Sequence, residues 1–322
     1  VIIDGHHHIV DDYEPILKRM DQLGIDGTVL VGVSVPDLSV VTIRPSLLFR
    51  SDLIFRTWGV VKARQILRSR ALQESLMVDP RNDAVLRAVA ARSDRFFGFA
   101  FVNPESPRAL EIARSCLDAG LCGIKLTLFQ YATDLAGDRM SALCELAREY
   151  RVPVFVHIGV RPESSNFEAP VCNFPEVNFI LAHGGVHRFR DAIELARTRD
   201  NLFLDTSSYI VSPPKLKKLL ESLGAGKLIF GTDVPVMARD PSEGLRKIEG
   251  LPLKPADRDL ILGQNLLGLL RDAKPLRAGP DPPDPAEAGP GRLLRCLKPA
   301  RRSPPLPAAP AAPPSARTAP AV

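Results

Sequence analysis

The chain has 322 residues, 45% hydrophobic and 25% charged, ordinary globular material sufficient for one large α/β barrel or two smaller domains. Its net charge of +5 is local, because residues 275–322 hold 7 Lys+Arg against 3 Asp+Glu while residues 1–274 hold 35 against 34; the balanced part lacks the basic face that nucleic acid needs. No apolar run reaches membrane-spanning length and no signal-like series precedes the first apolar segment, so no membrane association and a soluble, cytoplasmic protein are expected.

The first stretch, VIIDGHHHIV at 1–10, is β-branched and alternating, and reads as a strand. Residues two apart on a strand share a face, so His6 and His8 project together and His7 projects the other way. A purification tag is the rival for a histidine triplet, but tags sit in polar sequence and this one lies among Ile2, Ile3, Ile9 and Val10. Similar runs recur at 27–35, 96–102, 122–128, 152–158, 177–182, 201–206 and 227–231.

Helical patterns separate most of these runs. Tyr13, Ile16, Leu17, Met20 and Leu23 form an apolar stripe that Gly24 ends as a left-handed cap. Ser106 and Pro107 read as an N-cap and first helical residue before Leu110, Ala113 and Leu117, with Gly120 closing. Ser212, Pro213, Leu216, Leu219, Leu220, Leu223 and Gly224 repeat that grammar. Eight strand–helix units in under 280 residues predict a closed (β/α)8 TIM barrel over residues 1–274, with an open doubly wound sheet as the alternative.

The connection between Val35 and Phe96 is too long for one crossover helix. It is an insertion between strands 2 and 3, carrying Trp58, Phe49, Ile54, Phe55 and Val60 with Arg44, Arg50 and Arg56 interleaved. It reads as either an extra helix or a lid, and its apolar residues are compatible with a homodimer. Residues 275–322 hold 14 of the 30 prolines and are expected to be a disordered Pro/Ala/Arg-rich tail. Cys116, Cys122, Cys144, Cys172 and Cys296 form no C-x-x-C pair, so reduced structural thiols are expected.

Parallel barrel strands all end on one side, so polar residues at their C-terminal ends meet in one cavity. His157 closes the fifth run, His183 the sixth, and Asp233 follows the eighth. His6, His8, His157 and Asp233 make a complete nitrogen and oxygen set for one divalent metal ion, with Zn2+ expected.

These motifs resemble the amidohydrolase superfamily, in the amidohydrolase-related branch that includes aminocarboxymuconate-semialdehyde decarboxylase. The resemblance rests on DGHHH at 4–8, FVH at 155–157, LAHGG at 181–185, FGTDVP at 230–235 and ILGQN at 261–265. It implies one metal held by His6, His8, His157 and Asp233, with His183 beside it and unligated. Asp233 and His183 would then be the catalytic pair, Asp233 taking a proton from water and His183 polarising the substrate or supplying a proton.

The expected activity is metal-dependent hydrolysis of a C–N or C–O bond in a small, carboxylate-bearing substrate. The alternatives are non-oxidative decarboxylation on the same constellation, and a catalytically inactive barrel used as a binding module. Arg161 and Arg188, just beyond strands 5 and 6, are candidate carboxylate anchors, and Tyr209 is a candidate substrate contact. Lys125, in GIKL on strand 4, is where two-metal members of the superfamily place a carbamylated bridging lysine; the alternative is an interior lysine held by a carboxylate. Asp4 is expected to brace the first strand by accepting backbone N–H bonds, and Asp205 to point towards the mouth.

Overall fold

Most of the strands are apolar on both faces because one face meets the helices and the other fills the barrel. In the computed structural model, which describes residues 1–34, 61, 78–131 and 133–271, eight parallel strands run in sequence order around one sheet. The elements are β1 (Ile3–His8), α1 (Glu14–Leu23), β2 (Gly27–Val31), α2 (Asp83–Ala91), β3 (Phe96–Phe101), α3 (Ala109–Asp118), β4 (Ile124–Thr127) and α4 (Asp138–Tyr150). There follow β5 (Val154–His157), α5 (Glu168–Asn173), β6 (Phe179–Leu181), α6 (Phe189–Thr198), β7 (Leu202–Asp205), α7 (Pro213–Leu223), β8 (Leu228–Ile229) and α8 (Pro241–Glu249).

Closure comes from the chain just past β8 meeting β1. Gly5 N–H donates to Phe230 O at 2.9 Å, Asp233 N–H to His6 O at 2.6 Å and His8 N–H to Val234 O at 2.7 Å. This is the (β/α)8 TIM barrel read from the sequence, and the open sheet is excluded. Ile3, Val29, Phe99, Phe101, Phe155, Ile180 and Ile229 fill its interior, while Leu30, Ile124, Leu126, Val154 and Val156 pack outward with the helices. With Ile124 and Leu126 outside, Lys125 is carried inward.

Gly24 adopts φ 66° and caps α1, and Ser212 and Pro213 open α7, all as expected. Two local expectations are corrected. Helix α3 starts at Ala109, not Pro107, because Ser106 ends a turn whose hydroxyl donates to Asp79 at 3.0 Å. Leu110, expected in the core, is 45% exposed, while Ala113 and Leu117 are buried. The insertion around Trp58 and the tail at 275–322 lie outside the described residues. Cys116, Cys122, Cys144 and Cys172 are free thiols. Among the described residues no helix is long and apolar enough to cross a membrane.

Candidate metal centre

His6 and His8 of β1 keep one face despite an extra residue in the strand, where Asp4 pairs with Thr28 but His7 pairs with Leu30. His6 Nε2 lies 3.4 Å and His8 Nε2 3.3 Å from Asp233 Oδ1. Two residues past β6, His183 Nε2 lies 3.5 Å from Asp233 Oδ2, yet this buried nitrogen makes no hydrogen bond. Asp233, beyond β8, therefore faces three imidazoles.

His157 ends β5 with its ring centroid 4.8 Å from that of His183. Among the described residues, the ligand atoms that lie within 4.8 Å of one another form two groups, His6/His8/Asp233 and His6/His183/Asp205. The first is three of the four residues expected to share an ion; His157 belongs to neither group, its ring packing edge-on against that of His183. The second contains Asp205, and its atoms are already engaged by hydrogen bonds. His6 Nδ1 lies 3.2 Å from Asp205 Oδ2 and 3.1 Å from Ser207 Oγ, while His8 Nδ1 is 3.0 Å from Gly32 O.

Burial pushes His6 and His157 well below the ordinary histidine range, with nearby Lys125 adding to the effect on both. His183 is lowered too, chiefly by burial. Burial alone would raise Asp233, but His6 and His8 hold it well below the usual carboxylate range. With His6 and His183 lowered, their lone pairs face an ionised carboxylate, an arrangement that asks for a cation between them. The residues present fit a divalent ion.

Lys125 points into the barrel, 1% exposed. Its Nζ lies 2.9 Å from His6 Nε2 and 3.9 Å from the centroid of the Phe155 ring. Burial lowers its ammonium to about 8 although Asp233 and Asp205 favour the charge. The lysine thus places a positive group where the His6 lone pair points.

The other expected residues are less central. Arg161 is exposed. Arg188 is engaged elsewhere, with Glu168 at 2.5 Å, Asp191 at 2.8 Å and Ser165 O at 3.0 Å. Tyr209 feels Asp233, which together with burial raises its phenol. Asp4 accepts the backbone N–H of His6 at 3.1 Å and of Thr232 at 3.0 Å, and its carboxylate also lies 3.3 Å from His7 Nδ1. Ser207 carries no signal in the sequence beyond its place two residues after the strand-ending Asp205.

The backbone is unusual where these groups converge. His183 (φ 52°), Asp233 (φ 64°) and Ser208 (φ 62°) all occupy the left-handed region, at a cost of roughly 1–2 kcal/mol each for residues bearing a Cβ. Such conformations cluster at functional sites, where tertiary contacts hold them. Gly231 answers a related constraint, since a Cβ there would strike Asp205 Oδ1 and lie 2.9 Å from His6 Cβ.

A search among curated proteins returned no match. Among solved structures, an uncharacterised TIM-barrel protein from Bordetella bronchiseptica is 21% identical with a TM-score of 0.60, covering 81% of this chain and 83% of its own. A 2,6-dihydroxybenzoate decarboxylase from Rhizobium is 17% identical at TM-score 0.59, over 84% and 98%. A protein described as a probable 2-pyrone-4,6-dicarboxylic acid hydrolase from Acinetobacter baumannii is 15% identical at TM-score 0.59, over 84% and 98%. The amidohydrolase family profile matches residues 60–270, most of the chain, and with the barrel closed as described this protein belongs to the amidohydrolase family.

Proposed function

We propose that the protein is a metal-dependent carboxy-lyase acting without an oxidant on a small carboxylate-bearing substrate. The observation that carries this reading is His183 Nε2, a buried nitrogen without a hydrogen bond, beside but outside the His6/His8/Asp233 group. A group free to exchange a proton with the carbon that loses CO2 is what decarboxylation needs beyond a cation. The likeness to decarboxylases from Rhizobium and Polaromonas agrees with this reading.

His6, His8 and Asp233, joined by His157, would hold the ion. When bound, a divalent cation supplies Lewis acidity towards a carboxylate and its neighbouring oxygen. A dihydroxybenzoic acid decarboxylase from Polaromonas, 16% identical at TM-score 0.58 over 84% and 96%, carries manganese, so Mn2+ stands beside Zn2+ as the candidate ion. The chain's own groups do the rest. Asp233 stays ionised and compensates the charge, Lys125 adds positive potential for an anionic substrate, and the Phe155 ring, 4.7 Å from that of His6, limits water there.

Hydrolysis remains the second reading, favoured by Asp233, which stays ionised between His6 and His8 and could accept a proton from water there. The deciding experiment quantifies metal in wild type and His157→Ala and assays both, with Mn2+ or Zn2+, for CO2 release from hydroxybenzoates and for lactone, ester and amide hydrolysis. Metal-dependent CO2 release is expected. Hydrolysis without CO2 release would overturn the carboxy-lyase reading, and wild type that binds neither ion would overturn both.

A further inference from the structure

We infer that Asp205 and Ser207 form a shared clamp that locks His6 and His183 into the same tautomer, hydrogen on Nδ1 and lone pair on Nε2. The argument is an inventory of donors and acceptors. Asp205 accepts from Ser207 N–H at Oδ1, 3.1 Å, and from His183 N–H at Oδ2, 3.1 Å. Its Oδ2 also receives the Ser207 hydroxyl and lies 3.2 Å from His6 Nδ1. A carboxylate offers only acceptors, so the hydroxyl must spend its one proton on Asp205.

Having no second proton, Ser207 Oγ can only accept from its remaining neighbours. These are His183 Nδ1 at 2.8 Å and His6 Nδ1 at 3.1 Å. Both rings must then carry hydrogen on Nδ1. An independent contact agrees for His6, because Lys125 Nζ approaches its Nε2 at 2.9 Å and an ammonium there requires a lone pair. One carboxylate at the end of β7 and one hydroxyl two residues beyond it thereby orient two imidazoles, one from β1 and one just past β6, with both Nε2 atoms turned towards Asp233.

The consequence deepens the proposed function and rests on it where metal is concerned. His6 is presented as an Nε2 ligand, while His183 presents a proton acceptor to the substrate and must first take a proton from water or a substrate hydroxyl before giving it to the carbon that CO2 leaves. Asp205 and Ser207 are positioning residues, since they act through the two histidines.

The test uses full-length metal-free protein with 15N-labelled histidine, the rings being assigned by single substitution, and reads each tautomer from long-range proton–nitrogen spectra. Both His6 and His183 should show Nδ1–H. Ser207→Ala should release His183 into mixed tautomers while His6 stays fixed by Asp205, and Ser207→Thr should restore the wild-type pattern. Asp205→Asn, whose amide also offers N–H donors, should weaken binding of Mn2+ alone and of Zn2+ alone by about 10–100-fold in chelator competition. Nε2–H on either ring of wild type, or an unchanged His183 spectrum in Ser207→Ala, would overturn the clamp; if Asp205→Asn fails to fold, those two measurements still decide. Nδ1–H on both rings in a protein that binds neither ion would uphold the clamp and sink the metal reading.

Discussion

At the scale of single residues, the site is built by placing groups closer than their own preferences allow. Gly231 is the simplest case, because any side chain there meets Asp205 and His6 together. Gly231→Ala is expected to cost about 1–3 kcal/mol through overpacking and to weaken metal binding as His6 moves, read by denaturant unfolding and ion titration on the same protein. A destabilised variant with wild-type affinity would show that His6 is held independently of this contact. His183→Asn should keep its metal and lose turnover, because the ring stands beside the His6/His8/Asp233 group; loss of the ion on metal analysis would make His183 a ligand.

At the scale of elements, the segment after β7 carries the clamp and is itself tied down. Lys247, on α8, donates to Thr206 O and Ser208 O at 2.7 Å each and to Val211 O at 3.3 Å. Lys247→Met keeps the apolar stem and strips three carbonyls of their donor, each worth about 1–3 kcal/mol if left buried and unpaired. A lower melting temperature with weakened metal affinity is expected; unchanged affinity would show that the segment holds its shape without the lysine. The strands were legible in the sequence because burial on both faces leaves continuous apolar runs, and the histidines of β1 because alternation fixes a face. The ends were less legible. Leu110 satisfies the helical period yet lies outside the core, since period alone does not say how far the buried stripe extends. The left-handed turns at His183 and Asp233 have only a weak local signal, since His and Asp tolerate that region better than most residues but do not require it. Ser207 and Lys247 were invisible because their partners are backbone and side-chain atoms on other elements.

At the scale of the whole molecule, the mouth of the barrel makes stability depend on pH. His6, His157 and His183 all fall below the ordinary value of 6.5 because burial disfavours their charged forms. Lys125 opposes charge on all three, and His8 does so on His6 and His157; Asp233 favours it on His6 and His183, and Asp205 on His183. Below 6.5 the unfolded chain takes up protons that the folded chain refuses, so stability is full above that pH and falls as pH drops. Each ring that stays unprotonated in the fold contributes at most one proton to that slope. Asp233 has the opposite cause and a lower window: its stabilisation is present above the ordinary carboxylate value of 3.8 and is lost below it. The metal-free protein should therefore begin to lose stability between pH 6.5 and 5, before its carboxylates titrate, in denaturant melts taken at unit intervals from pH 8. His183→Asn should flatten that slope by about one proton. A bound divalent ion competes with protons for the same lone pairs, so saturating Mn2+ should raise stability most at neutral pH and progressively less towards pH 5. A stability flat from pH 7 to 5 without metal would mean that the imidazoles take up their protons in the folded barrel as readily as in the open chain.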